Sequence, residues 1–107
     1  MKHHLKFEGQ VYSTVLEMAE FLLNQANEKI IRIDLGEFPN NVEERNYIKF
    51  RLMHLQRVFS DSVPAEILSI YNSVWSQLYR LEHQCQYVHP YLAKVMEYIK
   101  NGQRHSN

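Results

Sequence analysis

The stretch VEERNYIKFRLMHLQRVF, residues 42–59, predicts a helix with more apolar surface than one side can hold. At about 100° per residue, one face of this helix carries a regular apolar set: Ile48, Leu52, Leu55 and Phe59. A second face, nearly opposite, carries aromatic and apolar side chains with two arginines at its edges: Tyr47, Phe50, His54, Val58, Arg51 and Arg57. A helix that is apolar on two sides is usually enclosed. Other elements of the chain, or a partner, must therefore cover it.

The residues before this stretch predict where the helix begins. Asn41 is a favourable N-cap, and Glu44 three residues later completes the pattern of a capping box. Glu43 and Glu44 also place negative charge at the positive end of the helix dipole. We therefore expect the helix to start directly after Asn41.

Two interpretations of the second apolar face follow. In the first, the helix lies at the centre of the domain and its arginine stems pack along the edges of the groove. In the second, the aromatic face contacts another chain, because Tyr, Phe and Arg are common in interfaces and binding hot spots. The two interpretations are compatible, since a homodimer could provide the cover.

Length and composition predict one small domain over residues 1–107. The 12 basic and 12 acidic residues balance, which argues against binding to a polyanion through bulk charge. The single cysteine excludes an internal disulfide and suits a reducing compartment. The chain has neither an apolar run of membrane-spanning length nor an N-terminal signal core. We therefore expect a cytoplasmic protein that does not enter a membrane.

The N-terminal third predicts a strand–helix–strand unit. Leu5 to Phe7 allows a short strand, and residues 10–27 have one broad apolar stripe that is typical of a helix on a core. Residues 30–35 alternate apolar and polar side chains and are rich in isoleucine, which favours a second strand. A right-handed crossover would set these two strands parallel.

The rest of the chain predicts two more helices. Pro64 favours a helix start near residues 63–64, and the apolar repeat continues to about Gln84. Pro90 favours the start of a last helix that ends near Gly102, followed by a frayed tail over residues 103–107. The expected fold is mainly α, with four helices and one or two short N-terminal strands.

The side of the third predicted helix that faces away from its apolar repeat is polar but uncharged. Serine and asparagine are mediocre helix formers, and a freely solvated face usually carries more Lys and Glu. Small side chains at Ser69, Ser73 and Ser76 would let another helix approach closely. The alternative is an ordinary solvated face, where single serines cost little.

Three potential metal ligands lie close together near the end of this helix: His83, Cys85 and His89. Structural zinc normally takes four ligands in two spaced pairs. The chain offers no second pair unless His3 and His4 fold over to meet the first three. We therefore expect no metal and no cofactor, with His83 on the surface and Cys85 as a small buried residue.

The sequence does not predict an enzyme. Cys85 has no nucleophile elbow around it, and the scattered Gly9, Gly36 and Gly102 do not form a phosphate-binding loop. His54 lies within an aromatic face, where a structural histidine is the commoner outcome.

A nucleic-acid interface is the main alternative to a protein interface. The turn over residues 60–63 could join two helices of a helix-turn-helix, but the second helix presents no basic group near its start. A dimer that pairs the helices over residues 42–59 could still offer Arg45, Lys49 and Arg57 to DNA.

From these patterns we expect a small regulatory module that binds another protein, acts as a homodimer and has no catalytic activity. A regulator, an inhibitor or antitoxin-like neutraliser, and an assembly chaperone fit this description, and a small dimeric DNA-binding regulator is the alternative. The predicted partner interface comprises six residues of the central helix and three of the next: Tyr47, Phe50, Arg51, His54, Arg57, Val58, Ser69, Ser73 and Ser76.

Overall fold

The structure, a computed structural model, describes residues 5–86 and Tyr98, without the side chains of Cys85 and Gln86. Its elements in order are β1 (Lys6–Phe7), β2 (Gln10–Val11), α1 (Val15–Asp34), α2 (Val42–Val58) and α3 (Ala65–Gln86). The mainly helical class is confirmed, but residues 5–86 form three helices rather than the predicted four. The predicted last helix from Pro90 and the tail over residues 103–107 fall on residues outside this description, apart from Tyr98.

The two strands form a short antiparallel hairpin at the N-terminus. Lys6 lies opposite Val11, and Phe7 lies opposite Gln10. The two residues between the strands have positive φ angles, 51° and 83°, which is the backbone of a type I′ turn. A first strand near Leu5–Phe7 was predicted correctly, but its partner is the next stretch of chain and not residues 30–35.

The predicted strand over residues 30–35 is wrong, because α1 continues as a helix to Asp34. Ile30 and Ile33 are buried and extend the helical face of Ala26, whereas Ile31 is exposed. Spacings of three and four residues on one buried face outweigh the β-propensity of isoleucine. The predicted strand–helix–strand unit with parallel strands is therefore also wrong.

Side-chain caps fix the starts of α1 and α2. The Thr14 hydroxyl accepts a hydrogen bond from the Glu17 N–H at 3.0 Å, so α1 begins five residues later than the predicted Gln10. The Asn41 side chain accepts one from the Glu44 N–H at 2.9 Å, which confirms the predicted start of α2. The Glu44 carboxylate binds Lys29 of α1 at 2.7 Å, so it contributes to helix packing.

Gly36 ends α1 in a Schellman motif. Its φ of 80° is left-handed, its N–H donates to Ile33, and the Glu37 N–H donates to Arg32. A Cβ at position 36 would meet no other atom within 4 Å, so only the backbone angle opposes a side chain there.

We expect Gly36→Ala to lower the free energy of unfolding by about 1 kcal/mol, because an L-residue is strained in this left-handed conformation. Gly36→Asn is the matched control and should cost less, because asparagine adopts this conformation more readily than alanine. Urea denaturation of both variants measures the difference. Equal stability of Gly36→Ala and the wild type would contradict the assignment of this cap.

The three helices run up, down and up as a bundle in which each packs against the other two. Lys29, late in α1, contacts Glu44, early in α2, so these two helices are antiparallel. Lys49 of α2 pairs with Glu82, late in α3, at 3.5 Å, which makes α2 and α3 antiparallel as well. No helix in the described part of the chain is both long and apolar enough to cross a membrane.

The core lies between the three helices. Its largest fully buried side chains come from all of them: Met18, Leu22, Ile48, Leu52, Leu55, Leu78 and Leu81. The first apolar face predicted for α2 therefore packs inwards, with Phe59 partly buried against the core. Two residues of the second face of α2, Tyr47 and Val58, are also partly buried against this core.

Candidate protein-binding surface

Arg51 is the most unusual residue on the second face of α2, because its guanidinium is buried, with 3% of the residue exposed. Its Nε donates to Gln25 of α1 at 3.0 Å, and its Nη1 donates to the Tyr47 carbonyl at 2.9 Å. Its Nη2 forms an ion pair with Glu8 of the hairpin turn at 2.8 Å. Arg51, which the sequence assigned to a partner interface, is thus surrounded by its own chain.

Two aromatic rings enclose the same guanidinium. The Tyr47 ring centre lies 3.5 Å from the Arg51 Cζ, and the Phe7 ring centre lies 5.0 Å from it. Both distances are within the range of a cation–π contact. The hairpin and α1 therefore hold this charge with polar and aromatic contacts together.

The hairpin and the core partly cover three further residues of the second face. The His54 ring lies 5.1 Å from the Phe7 ring, and Tyr47 and Val58 are partly buried against the core. Phe50 remains exposed, with 56% of its surface accessible, and Arg57 is exposed beside it on the helix. The chain itself, without a partner, therefore covers four of the six predicted contact residues of α2.

Burial also affects Tyr12, the residue that follows β2. Its ring lies 5.6 Å from that of Phe21 of α1. Burial raises the pKa of Tyr12 above its ordinary value of 10.0, the positive charge of Arg51 lowers it, and the nearby Glu17 and Glu8 raise it further. The net effect is a raised pKa, so the folded protein favours the neutral phenol.

This raised pKa of Tyr12 predicts a loss of stability in alkali. Below pH 10 the phenol is neutral in both states, and above it the unfolded chain ionises first, so folding stability falls as the pH rises through the folded pKa. We expect this fall to be smaller in Tyr12→Phe than in wild type. Denaturation at a series of alkaline pH values, with the exposed Tyr79→Phe as control, measures it. Parallel pH profiles for Tyr12→Phe and wild type would contradict the prediction.

The three predicted serines of α3 share one exposed side of that helix. Ser69, Ser73 and Ser76 lie there with Asn72, opposite the buried residues that face α1 and α2. Residues 67–79 read ILSIYNSVWSQLY and contain no charged side chain. We call the exposed set of Ser69, Asn72, Ser73 and Ser76, with Ile70 and Tyr79 at its edges, the α3 face.

Its two edges carry large exposed side chains. Ile70 is 48% exposed and Tyr79 is 65% exposed. The Tyr79 ring is also in an edge-on contact with the His83 ring, with 3.8 Å between the ring centres. Tyr79 is not among the residues that the sequence predicted for a partner interface, so its part in this surface was missed. The charge-free run of residues 67–79 is the signal that could have identified it.

The exposed side of α1 offers a comparison within the same chain. It carries five charged side chains among its exposed residues: Glu17, Glu20, Glu28, Arg32 and Asp34. The exposed side of α2 also carries charge, at Glu43 and Arg57. Between residues 67 and 79, α3 therefore differs from the other two helices of the bundle in the chemistry that it presents.

The basic residues considered for DNA binding are partly engaged within the chain. Arg45 donates to the Asn40 side chain at 3.0 Å, and Lys49 pairs with Glu82. Arg57 is exposed. Of these three cations, only Arg57 forms no hydrogen bond or ion pair within the part of the chain that the structure describes.

The possible metal ligands do not form a centre among the described side chains. In that part of the chain, no group of three or more His, Cys, Asp or Glu residues is placed to hold a metal ion. His83 is exposed and contacts Tyr79, while His89 and the Cys85 side chain fall outside the description.

Comparison of the chain with models of protein families, with curated proteins and with solved structures finds no match. Its function is therefore inferred from its own surface, where α3 combines an uncharged helix side with exposed Ile70 and Tyr79.

Proposed function

We propose that this protein is a small, non-catalytic, cytoplasmic regulatory module that binds protein through the α3 face and acts as a homodimer. One observation carries the proposal. The exposed side of α3 lacks charge over residues 67–79 and presents the large side chains of Ile70 and Tyr79 to solvent.

This composition matches a protein interface better than a solvated helix side. Helices at the surface of a domain usually carry charged and polar residues on the side away from the core. The centres of protein interfaces are instead depleted of charge and enriched in aromatic residues such as tyrosine. Serines between Ile70 and Tyr79 would allow a partner helix to approach the backbone closely, because their side chains are small.

Two features of α2 support the same proposal more weakly. Phe50 and Met53 are exposed on its outward side, beyond the region that the hairpin covers. An exposed Phe is common on any protein surface when it stands alone. We therefore place the docking surface on α3 and treat the exposed residues of α2 as secondary.

A regulator, an inhibitor or antitoxin-like neutraliser, and an assembly chaperone all act by occupying a surface of another protein. Each of these roles needs a stable domain with one exposed docking side and no reaction centre. The balance of 12 basic and 12 acidic residues also favours a protein partner over a polyanion.

Photo-cross-linking tests the proposal directly. A photoreactive amino acid replaces Ser73 at the centre of the α3 face, or Asn24 on the exposed side of α1 as the matched control. We expect position 73 to yield protein adducts, identified by mass spectrometry, in pure protein or in the native lysate, and position 24 to yield few. Adducts at position 73 that are no more abundant than those at position 24 would contradict the proposal.

A further inference from the structure

We infer that the α3 face docks against the same face of a second copy, with the two α3 helices antiparallel and the two-fold axis between Asn72 and Ser73. This inference rests on the proposed function, since it names the partner of the same surface. It follows from the pattern of side-chain sizes and charges along α3.

The size pattern of the α3 face is nearly symmetric about its centre. An axis between residues 72 and 73 sets Ser69 opposite Ser76 of the second copy and Asn72 opposite Ser73. A two-fold interface must be self-complementary, because both copies use the same patch. Small side chains then face small side chains, so the two backbones can approach closely along about two turns of helix.

The same axis places the exposed Tyr79 ring against the helix of the second copy. Tyr79 lies 6.5 residues from the axis, which sets it at the height of Glu66 in the second copy, between Ala65 and Leu68 along that helix. Ala65 is exposed and Leu68 is half-buried in the single chain. The Tyr79 ring would therefore pack on apolar surface, and tyrosine commonly anchors interfaces in this way.

Charges at the two ends of the face favour the antiparallel direction. Glu66 is exposed and forms no ion pair within the described residues. Arg80 binds Asp34, Gln77 and Gln84 through four of its five N–H donors, which leaves one donor on Nη2.

In antiparallel helices related by this axis, Glu66 of one copy and Arg80 of the other lie at the same edge of the interface. Their heights along the helix differ by about 1.5 Å, the rise of one residue. A parallel pair would set Glu66 against Glu66, which is repulsive, and would leave Arg80, whose charge is already paired with Asp34, without a carboxylate of the second copy. Charge therefore selects the antiparallel arrangement.

The size of the face indicates how tightly the copies associate. A stable interface of standard size uses roughly 20–30 residues on each side. The α3 face and its two charged ends offer fewer than half of that number. We therefore expect a concentration-dependent dimer and not a permanent one.

Disulfide mapping tests the arrangement, in full-length chains that carry Cys85→Ser so that the introduced thiol is the only one. The variants are Ser73→Cys, Ser69→Cys and Ser76→Cys, with Glu20→Cys on α1 as the control. The antiparallel axis separates the two copies of residue 69 by roughly 10 Å along the helices, too far for a disulfide. It brings residue 69 of one copy next to residue 76 of the other.

We expect Ser73→Cys to form disulfide-linked dimers alone. An equal mixture of Ser69→Cys and Ser76→Cys should form at least about fivefold more dimer than either variant alone, because only the mixed pair meets disulfide geometry. Ser69→Cys dimers as abundant as those of the mixture would indicate a parallel pair and overturn the inference. Dimer yields no higher than those of Glu20→Cys would overturn it as well. If the photoreactive residue at position 73 then formed adducts with a different protein, the α3 face would still be a protein-binding surface, but its partner would not be a second copy.

Discussion

Replacing Arg51 with methionine should lower the free energy of unfolding by about 3 kcal/mol. Methionine keeps much of the packed stem but cannot donate to the Gln25 side chain and the Tyr47 carbonyl, which would lose a charged partner. It also removes the cation from between the Tyr47 and Phe7 rings. The ion pair with Glu8 adds little to this loss, because the Glu8 side chain is largely exposed and screened by water.

The matched control for this substitution is Arg57→Met on the same helix. Arg57 is exposed, so the change there should stay within about 0.5 kcal/mol of wild type. Equilibrium unfolding in urea gives both values from the midpoints, provided that the slopes agree. If Arg51→Met were as stable as Arg57→Met, the guanidinium would have no part in holding the hairpin to the helices.

Replacing Leu52 with alanine should cost about 3 kcal/mol of folding stability. Leu52 is fully buried, with none of its surface exposed, on the side of α2 that faces the core. Truncation removes three carbon atoms and leaves a cavity between packed helices that can collapse only partly.

Met53→Ala is the neighbouring control for Leu52→Ala. Met53 is 37% exposed on the outward side of α2, so its loss should cost about 1 kcal/mol or less. The two costs, measured by denaturation under the same conditions, should differ by at least about 2 kcal/mol. Similar costs for both would mean that the orientation assigned to α2 is incorrect.

The part of the fold that the sequence predicted well is the part with strong local signals. The apolar repeat of α2 and the Asn41 cap identified that helix and its first residue. The end of α1 was missed because Ile31, Ile33 and Leu35 alternate over a short window. Only the structure shows Ile33 in the core and Leu35 exposed. Six residues of alternation are too few to separate a strand from the last turns of a helix.

The hairpin could not be predicted as such, because its strands are two residues long and have no usable pattern. Its effect on the candidate site was therefore also missed. Arg51 meets Glu8, 43 residues earlier, and Gln25, 26 residues earlier, and no local pattern encodes contacts of that sequence separation. For this reason the sequence predicted a partner interface on a side of α2 that the hairpin, α1 and the core of the same chain partly cover.

The α3 part of the candidate site depended less on long-range contacts. Ser69, Ser73 and Ser76 were identified as one side of a helix from spacing alone, and the structure exposes all three. Tyr79 was missed because an aromatic residue at the edge of an apolar helix stripe is normally expected to pack with the core. Its exposure depends on how far α1 and α2 wrap around α3.

Sedimentation equilibrium over a wide range of protein concentrations tests most directly whether the α3 face binds a second copy. Wild type should fit a monomer–dimer equilibrium, and Ser73→Arg should weaken it at least about tenfold, because two buried like charges would meet at the axis. Asn24→Arg, on the exposed side of α1, should dimerise like wild type. A wild-type protein that remains monomeric throughout, or a Ser73→Arg variant that dimerises as tightly as wild type, would contradict docking of the α3 face on a second copy.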